Sequence, residues 1–436
     1  MVPRRRLELP RHFCHRYLKP ARLPIPPPGL GARCVGGCLM ILPGGVNSFF
    51  PAPSFFCRIA GFRPRVPRRG DAVPSLGAFQ QSSMATHSRT TRGGARKKRE
   101  DPGFGAQRHG RRSMSYRTQV ITVFGGSGFI GRHLIRRLAK SGALIRIATR
   151  NPGKAGFLKT GGAVGQIVPF ATDCADDVSV ARALQGADVA INLLGVLYER
   201  GSQSFQGVHV DAASRIARLA AAAGVNRLVH VSAIGADASS PSVYARSKAA
   251  GEQAVLSAFP AATILRPSIV FGPEDNFFNK FAAMAQKAPA LPLIGGGKTL
   301  FQPVYVGDLA DAVVAALDSD ASRGKTYELG GPRVYTFREL LELTQKTIQR
   351  HRPLATIPWN AAESLAGILE KVPVLAPALT RDQVALLKQD NVVAPGALGF
   401  KDLGIAELAA CEVILPTYLS RFIVGGKFSG QTNTAH

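Results

Sequence analysis

The chain has 436 residues, a formal net charge of +27 and an isoelectric point near 10.6, a balance that prompts a search for nucleic acid or anionic lipid. The excess is local: residues 1–113 carry 22 Lys and Arg against 4 Asp and Glu, +18 of the charge, which leaves +9 for residues 114–436. With the basic character confined to a leader, no nucleic-acid partner is expected, and Arg96-Lys97-Lys98-Arg99 reads as a solvated run.

Residues 1–113 hold fourteen of the thirty prolines and four of the six cysteines (Cys14, Cys34, Cys38, Cys57), with no sustained period of 2 or 3.6. They read as a disordered basic, Pro-rich leader, with Met114 as the natural start of the protein. A transit peptide shares the Arg-rich, acid-poor composition but is amphipathic and shorter. Residues 34–57 lack charge, yet Pro43, Pro51 and Pro53 would leave backbone groups unsatisfied in lipid, so no transmembrane span is expected. Cys34 and Cys38 are too far apart for a C-x-x-C pair and no H-E-x-x-H occurs, so no metal site is predicted.

From residue 118 the pattern changes to apolar runs of strand length, VITVF, IRIAT, QIVPF, DVAINLLG, RLVHVSA and ATILRP, separated by helical segments rich in Ala, Leu, Arg and Glu. Such alternation predicts an α/β fold: a Rossmann-type doubly wound parallel sheet over about 118–270, a smaller C-terminal α/β lobe over 271–425, and a loose tail over 426–436. The chain crosses to the smaller lobe at FGPEDNF, and some later strands are expected to return to the sheet. Cys174 and Cys411 alone fall in this region, which excludes a disulfide framework and suits a reducing compartment.

The first strand, VITVF, runs into Gly125, Gly128 and Gly131, spaced G-x-x-G-x-x-G with Phe129 and Ile130 inside, and then into a helix that ends near Gly142. This is the setting of a pyrophosphate cradle: a tight turn, a close backbone approach and a helix packed hard on the sheet, its N–H groups facing the anion. The second strand ends in Thr149-Arg150 with no carboxylate for a ribose 2′-hydroxyl. A guanidinium suits a 2′-phosphate, which favours NADP(H) over NAD(H), although Arg150 could also simply solvate a strand end. Asp173, after the third strand, either meets an adenine edge or caps the next helix. Gly195, after the fourth, admits the cofactor by having no side chain.

Tyr244-Ala245-Arg246-Ser247-Lys248 sets a phenol and an ammonium four residues apart on one helix face. A nearby Lys248 is expected to lower the Tyr244 pKa toward the range of proton transfer and to hold a ribose hydroxyl. His230, in mid-strand, reads as a core histidine, and Trp359 either packs the smaller lobe or faces a membrane or subunit.

GGSGFIG, Y-x-x-x-K and RPSIVFGPEDNF together resemble an extended or atypical short-chain dehydrogenase/reductase of the NAD-dependent epimerase/dehydratase family. Within it, RPSIVFGPEDNFFNKF, TLFQPVYVGDLADAV and LTRDQVALLKQDNVV resemble the nucleotide-binding accessory subunits of respiratory complex I (NADH:ubiquinone oxidoreductase) and their bacterial relatives. The resemblance implies that Gly125, Gly128 and Gly131 bind phosphate, that Arg150 selects NADP, that Tyr244 and Lys248 form the catalytic pair, and that Pro267 and Ser268 line the nicotinamide end.

One departure matters. Ala233 stands where active members usually place a Ser or Thr donor, and Ser232 faces the other side by strand alternation. Losing such a donor commonly removes about 2.7–4 kcal/mol of transition-state stabilisation. Ser239, Ser240 or Ser242 could substitute. The resemblance therefore implies a complex I-associated or quinone-pathway accessory or assembly factor holding structural NADPH with weak or no turnover. The alternative is an active NADPH-dependent reductase, epimerase or dehydratase using Tyr244 and Lys248. Implied partners are complex I subunits or quinone-biosynthesis proteins. The expected location is the cytoplasm or the cytoplasmic face of a bacterial inner membrane, with peripheral association, or alternatively the mitochondrial matrix side.

Overall fold

The computed structural model describes residues 119–370 and 379–426. The leader expected over 1–113, the start at Met114 and the tail beyond 426 lie outside the described residues.

The first half alternates strand and helix: β1 (Val120–Phe124), α1 (Phe129–Lys140), β2 (Leu144–Thr149), β3 (Ile167–Ala171), α2 (Asp177–Leu184), β4 (Val189–Asn192), α3 (Ala212–Ala222), β5 (Arg227–Val231), α4 (Val243–Ala258) and β6 (Thr263–Pro267). Shorter pieces follow: β7 (Val270–Phe271), α5 (Phe278–Lys287), β8 (Leu291–Ile294), β9 (Leu300–Phe301), β10 (Val304–Tyr305), α6 (Val306–Asp318), β11 (Thr326–Leu329), β12 (Tyr335–Thr336), α7 (Phe337–Thr347), β13 (Leu354–Ile357), α8 (Trp359–Leu369), α9 (Arg381–Leu387) and α10 (Cys411–Leu419).

One seven-stranded sheet, in the order β11-β6-β5-β4-β1-β2-β3 and parallel at every pairing, organises the fold. The order reverses beside β1, which opens a crevice at the carboxyl ends of β1 and β4. Strand alternation divides the core between the two faces. Ile121 and Val123 face Leu134, Ile135 and Leu138 of α1 and Leu309 and Val313 of α6. Phe124 and Ala190 face Val180 of α2, Ile216 of α3 and Val255 of α4. Each fully buried Leu or Ile contributes about 1.5–3 kcal/mol relative to exposure, so both layers are held mainly by area.

The smaller lobe has its own core, in which Phe271, Phe278, Phe301 and Phe337 meet Leu340, Leu341 and Leu415. Trp359 packs with Ile294, Ala362, Ala366 and Val384, with the Lys388 ammonium 5.9 Å from its ring centroid. Of the two roles open to it in the sequence, packing is the one seen. The chain crosses to this lobe through a loop pinned by Asp275, whose buried carboxylate accepts from the N–H groups of Gly272, Phe277 and Asn279 and from the Tyr418 hydroxyl. Residues 304–329 then run back, adding α6 and β11 to the main sheet.

Candidate functional site

The strand-turn-helix at residues 120–140 forms as its glycines dictate. Gly125 has φ +77°, and a Cβ on it would stand 3.1 Å from the Leu193 backbone after β4. A Cβ on Gly131 would lie 2.4 Å from the Gly126 carbonyl oxygen, so no larger residue fits between α1 and the turn. Gly128 is the N-cap of α1, with no side-chain cap and no acidic residue in the first turn. By contrast α7 and α9 begin with full capping boxes from Thr336/Glu339 and Thr380/Gln383. An uncapped helix start, half-exposed at Phe129 and Ile130 and fully exposed at Gly128, presents partial positive charge to an anionic ligand. The residues present therefore fit a dinucleotide pyrophosphate.

Arg132 folds back over this turn, donating to the Gly128 carbonyl at 3.4 Å and to Glu274 at 3.4 Å, with its guanidinium 5.4 Å from the Phe157 ring centroid. Arg150 is exposed one residue past β2. The Asp173 carboxylate accepts from the Ala175 N–H, and the cap of α2 is Asp176, which accepts from Val178 and Ser179. Gly195 is exposed beyond β4, where a Cβ would stand 3.8 Å from both the Lys248 Nζ and the His209 Nε2.

Tyr244 and Lys248 lie on α4 as the spacing predicts, but their electrostatics differ from the sequence expectation. The Lys248 Nζ is buried and donates to the Val231 carbonyl at 3.2 Å; desolvation lowers its pKa to about 8. The Tyr244 ring is wedged edge-on against Phe205 at 5.8 Å and His209 at 5.4 Å. Desolvation, and then the Asp382 carboxylate, push its pKa up to about 12 rather than down. An ammonium that loses its charge near pH 8, below the range in which a phenol ionises, does not offset those two effects.

Two buried histidines complete the floor. His209, on a π-helical turn at Gln206–Asp211, accepts from the Val196 N–H at Nε2, and its Nδ1 lies 2.8 Å from the Ser247 hydroxyl. The first contact fixes Nε2 as the acceptor and places the proton on Nδ1. His230 Nδ1 lies 3.0 Å from the Asn192 amide nitrogen, the satisfied core histidine read from the sequence. Burial first, and then the Lys248 charge, hold both pKa values down to about 3.

At the substrate end, just past β5, Ala233 is half-buried and Ser232 buried. Of the three serines that could replace the missing donor, two spend their hydroxyl protons on carboxylates. Ser239 bonds Asp237, Ser240 accepts from the Ser242 N–H, and Ser242 caps α4 by accepting from the Ala245 N–H while donating to Asp382. Pro267 accepts from the Ile234 N–H through its carbonyl. Ser268 is buried, its Oγ 2.7 Å from Asn391 Oδ1.

Asp382 and Asn391 are the site residues that sequence reasoning missed. Both lie in LTRDQVALLKQDNVV, which was singled out for its resemblance alone. His209 carried no motif. Among the described residues no cluster of His, Cys, Asp and Glu fits a metal ion, and no helix is long and apolar enough to cross a membrane.

Residues 121–330 match the NAD dependent epimerase/dehydratase family. The chain belongs to this family. Its relatives include the mitochondrial NADH dehydrogenase [ubiquinone] 1 alpha subcomplex subunit 9 of Arabidopsis thaliana, 42% identical over 296 residues covering 66% of this chain and 74% of the relative. The mitochondrial NADH-ubiquinone oxidoreductase 40 kDa subunit of Neurospora crassa is 34% identical over 296 residues, 68% of this chain and 77% of that one. Among solved structures, dTDP-glucose 4,6-dehydratase (DesIV) of Streptomyces venezuelae superposes with a TM-score of 0.52 at 20% identity, covering 70% of this chain and 96% of that one. That likeness shows the epimerase/dehydratase fold. The subunit likeness agrees with the resemblance carried by the three long stretches.

Proposed function

We propose that this epimerase/dehydratase-family protein is an accessory subunit or assembly factor of a respiratory NADH:ubiquinone oxidoreductase, holding NADP(H) as a structural ligand with little or no turnover. The observation that carries the reading is the contrast within one crevice. The phosphate turn is open and uncapped, while beside Ala233 the hydroxyl protons of Ser239, Ser242 and Ser268 are spent on Asp237, Asp382 and Asn391. Such a site binds a nucleotide without stabilising a developing oxyanion on a substrate. Bound only in the folded state, the nucleotide stabilises the fold by mass action.

Arg150, exposed at the end of β2 with no carboxylate in its place, supports NADP(H) over NAD(H). The names of the relatives, mitochondrial respiratory subunits, support an association with that assembly and favour the matrix side of the mitochondrial inner membrane over a bacterial one. Peripheral attachment suits the absence of a spanning helix among the described residues.

A second reading, an active NADPH-dependent reductase, epimerase or dehydratase, is favoured by one observation: the buried Ser232 Oγ has no hydrogen-bond partner. A ligand group reaching it would gain a donor.

Gentle solubilisation of membranes containing the tagged full chain, followed by native electrophoresis and analysis of released nucleotide, tests the proposal. Co-migration with respiratory subunits and release of NADP(H) are expected. Migration alone contradicts the assembly role, and absence of nucleotide contradicts the site.

A further inference from the structure

The residue that governs Tyr244 comes from 138 residues further along the chain. α9 runs past the start of α4 and places the Asp382 carboxylate on its first turn, accepting from the Val243 N–H at 2.6 Å, the Tyr244 N–H at 3.2 Å and the Ser242 hydroxyl at 3.0 Å. The Thr380/Gln383 capping box holds the first turn of α9, so the carboxylate is fixed at its own base. We propose that Asp382 is a positioning residue: by placing a full negative charge on the helix start that carries Tyr244, it makes the phenol a standing hydrogen-bond donor and not an acid–base relay.

A bare helix start would favour a phenolate through its partial positive charge, and a carboxylate there cancels that field and adds repulsion. The other charged or titratable groups around the phenol do not restore it. Lys248, one turn along α4, is turned to the Val231 carbonyl and loses its charge near pH 8, below the range in which a phenol ionises. His209, edge-on to the ring, and His230 of β5, behind Lys248, stay neutral at physiological pH. Arg246 points away, donating to the carbonyls of Ser240 and Pro241. The inference rests on the nucleotide-site reading only for what the phenol donates to. The effect of Asp382 exists without any ligand, so the two fail separately.

The test is an NMR titration of the full chain labelled with [13C]ζ-tyrosine, free of nucleotide, with the Tyr244 signal assigned by its loss in Tyr244→Phe. The wild-type phenol stays protonated through pH 11. In Asp382→Asn its midpoint falls by less than one pH unit, because burial supplies the larger part of the shift and remains, and Asp382→Glu restores the wild-type curve. If Asp382→Asn loses its near-ultraviolet circular dichroism, Asp382→Ser, neutral and still able to accept from the same N–H groups, takes its place. A wild-type midpoint at or below about 10, the ordinary tyrosine value, overturns the proposal. So does a neutral variant that is less stable yet titrates with the wild type, since a merely structural cap behaves in that way.

Discussion

The Ser268 hydroxyl and the Asn391 side chain, 123 residues apart in sequence, meet at 2.7 Å beneath the carboxyl end of β6. Asn391 Oδ1 also accepts from the Ile269 N–H, and its amide reaches the Ile234 carbonyl beyond β5. One side chain thus ties the ends of two neighbouring strands to the segment that carries Asp382. Replacing Asn391 with Ala removes the acceptor of the half-buried Ile269 N–H, while the Ser268 hydroxyl keeps the residue 391 backbone carbonyl, 2.9 Å away, as a partner. At about 1–3 kcal/mol for one such group, the expected loss is roughly 1–3 kcal/mol, read from the urea midpoint at constant slope. A change below about 0.5 kcal/mol would show that the tie is incidental.

The two glycines flanking the crevice should respond differently to substitution. Gly131→Ala forces a Cβ against the Gly126 carbonyl, 2.4 Å away, so both stability and nucleotide affinity fall, the latter at least tenfold. Gly195→Ala adds a Cβ in ordinary contact with the Lys248 and His209 nitrogens, 3.8 Å away. That variant keeps the wild-type melting temperature without ligand and loses the ligand-induced rise. Thermal shift with and without NADPH separates the two.

Much of this was legible in the sequence because the signals are local. The strands β1, β4, β5 and β6 are mostly apolar runs buried along nearly their whole length, and the glycine turn sits between its own strand and helix. β11 escaped because TYEL is a short edge strand with alternate residues half-buried. The Tyr244/Lys248 spacing placed both groups on one face, but their protonation depends on their burial and then on Asp382 and Glu252 respectively. No periodicity records a carboxylate that arrives on another helix. The expectation of a lowered tyrosine pKa failed because burial, first, and then that carboxylate push the phenol up.

Cofactor choice depends on Arg150. Arg150→Asp adds a carboxylate that repels a 2′-phosphate and accepts from a 2′-hydroxyl. NADPH affinity should fall at least tenfold while NADH affinity holds or rises, as measured by calorimetry on ligand-free protein. Equal losses for both nucleotides would place Arg150 outside the ribose site.

The histidine pair gives the fold an acid limit. His209 and His230 are held near pKa 3 in the folded protein, against an ordinary value of 6.5. Between those limits the unfolded chain binds more protons, so stability rises with pH from about 3 to 6.5 and the cost of keeping them neutral is absent above it. Each histidine steepens the dependence by up to about 1.4 kcal/mol per pH unit. Urea unfolding between pH 4.5 and 7 should show a shallower slope in His209→Gln than in wild type. Identical slopes would mean that His209 takes up a proton in the folded state.

The central claim, that a nucleotide is held without being used, is tested most directly by following the nicotinamide absorbance of the purified full chain loaded with NADPH. The reduced signal should remain constant through prolonged incubation with carbonyl and quinone acceptors, and NADPH should be recovered on denaturation. Steady oxidation of the bound nucleotide, abolished by Tyr244→Phe, would contradict the account and make the protein a working reductase.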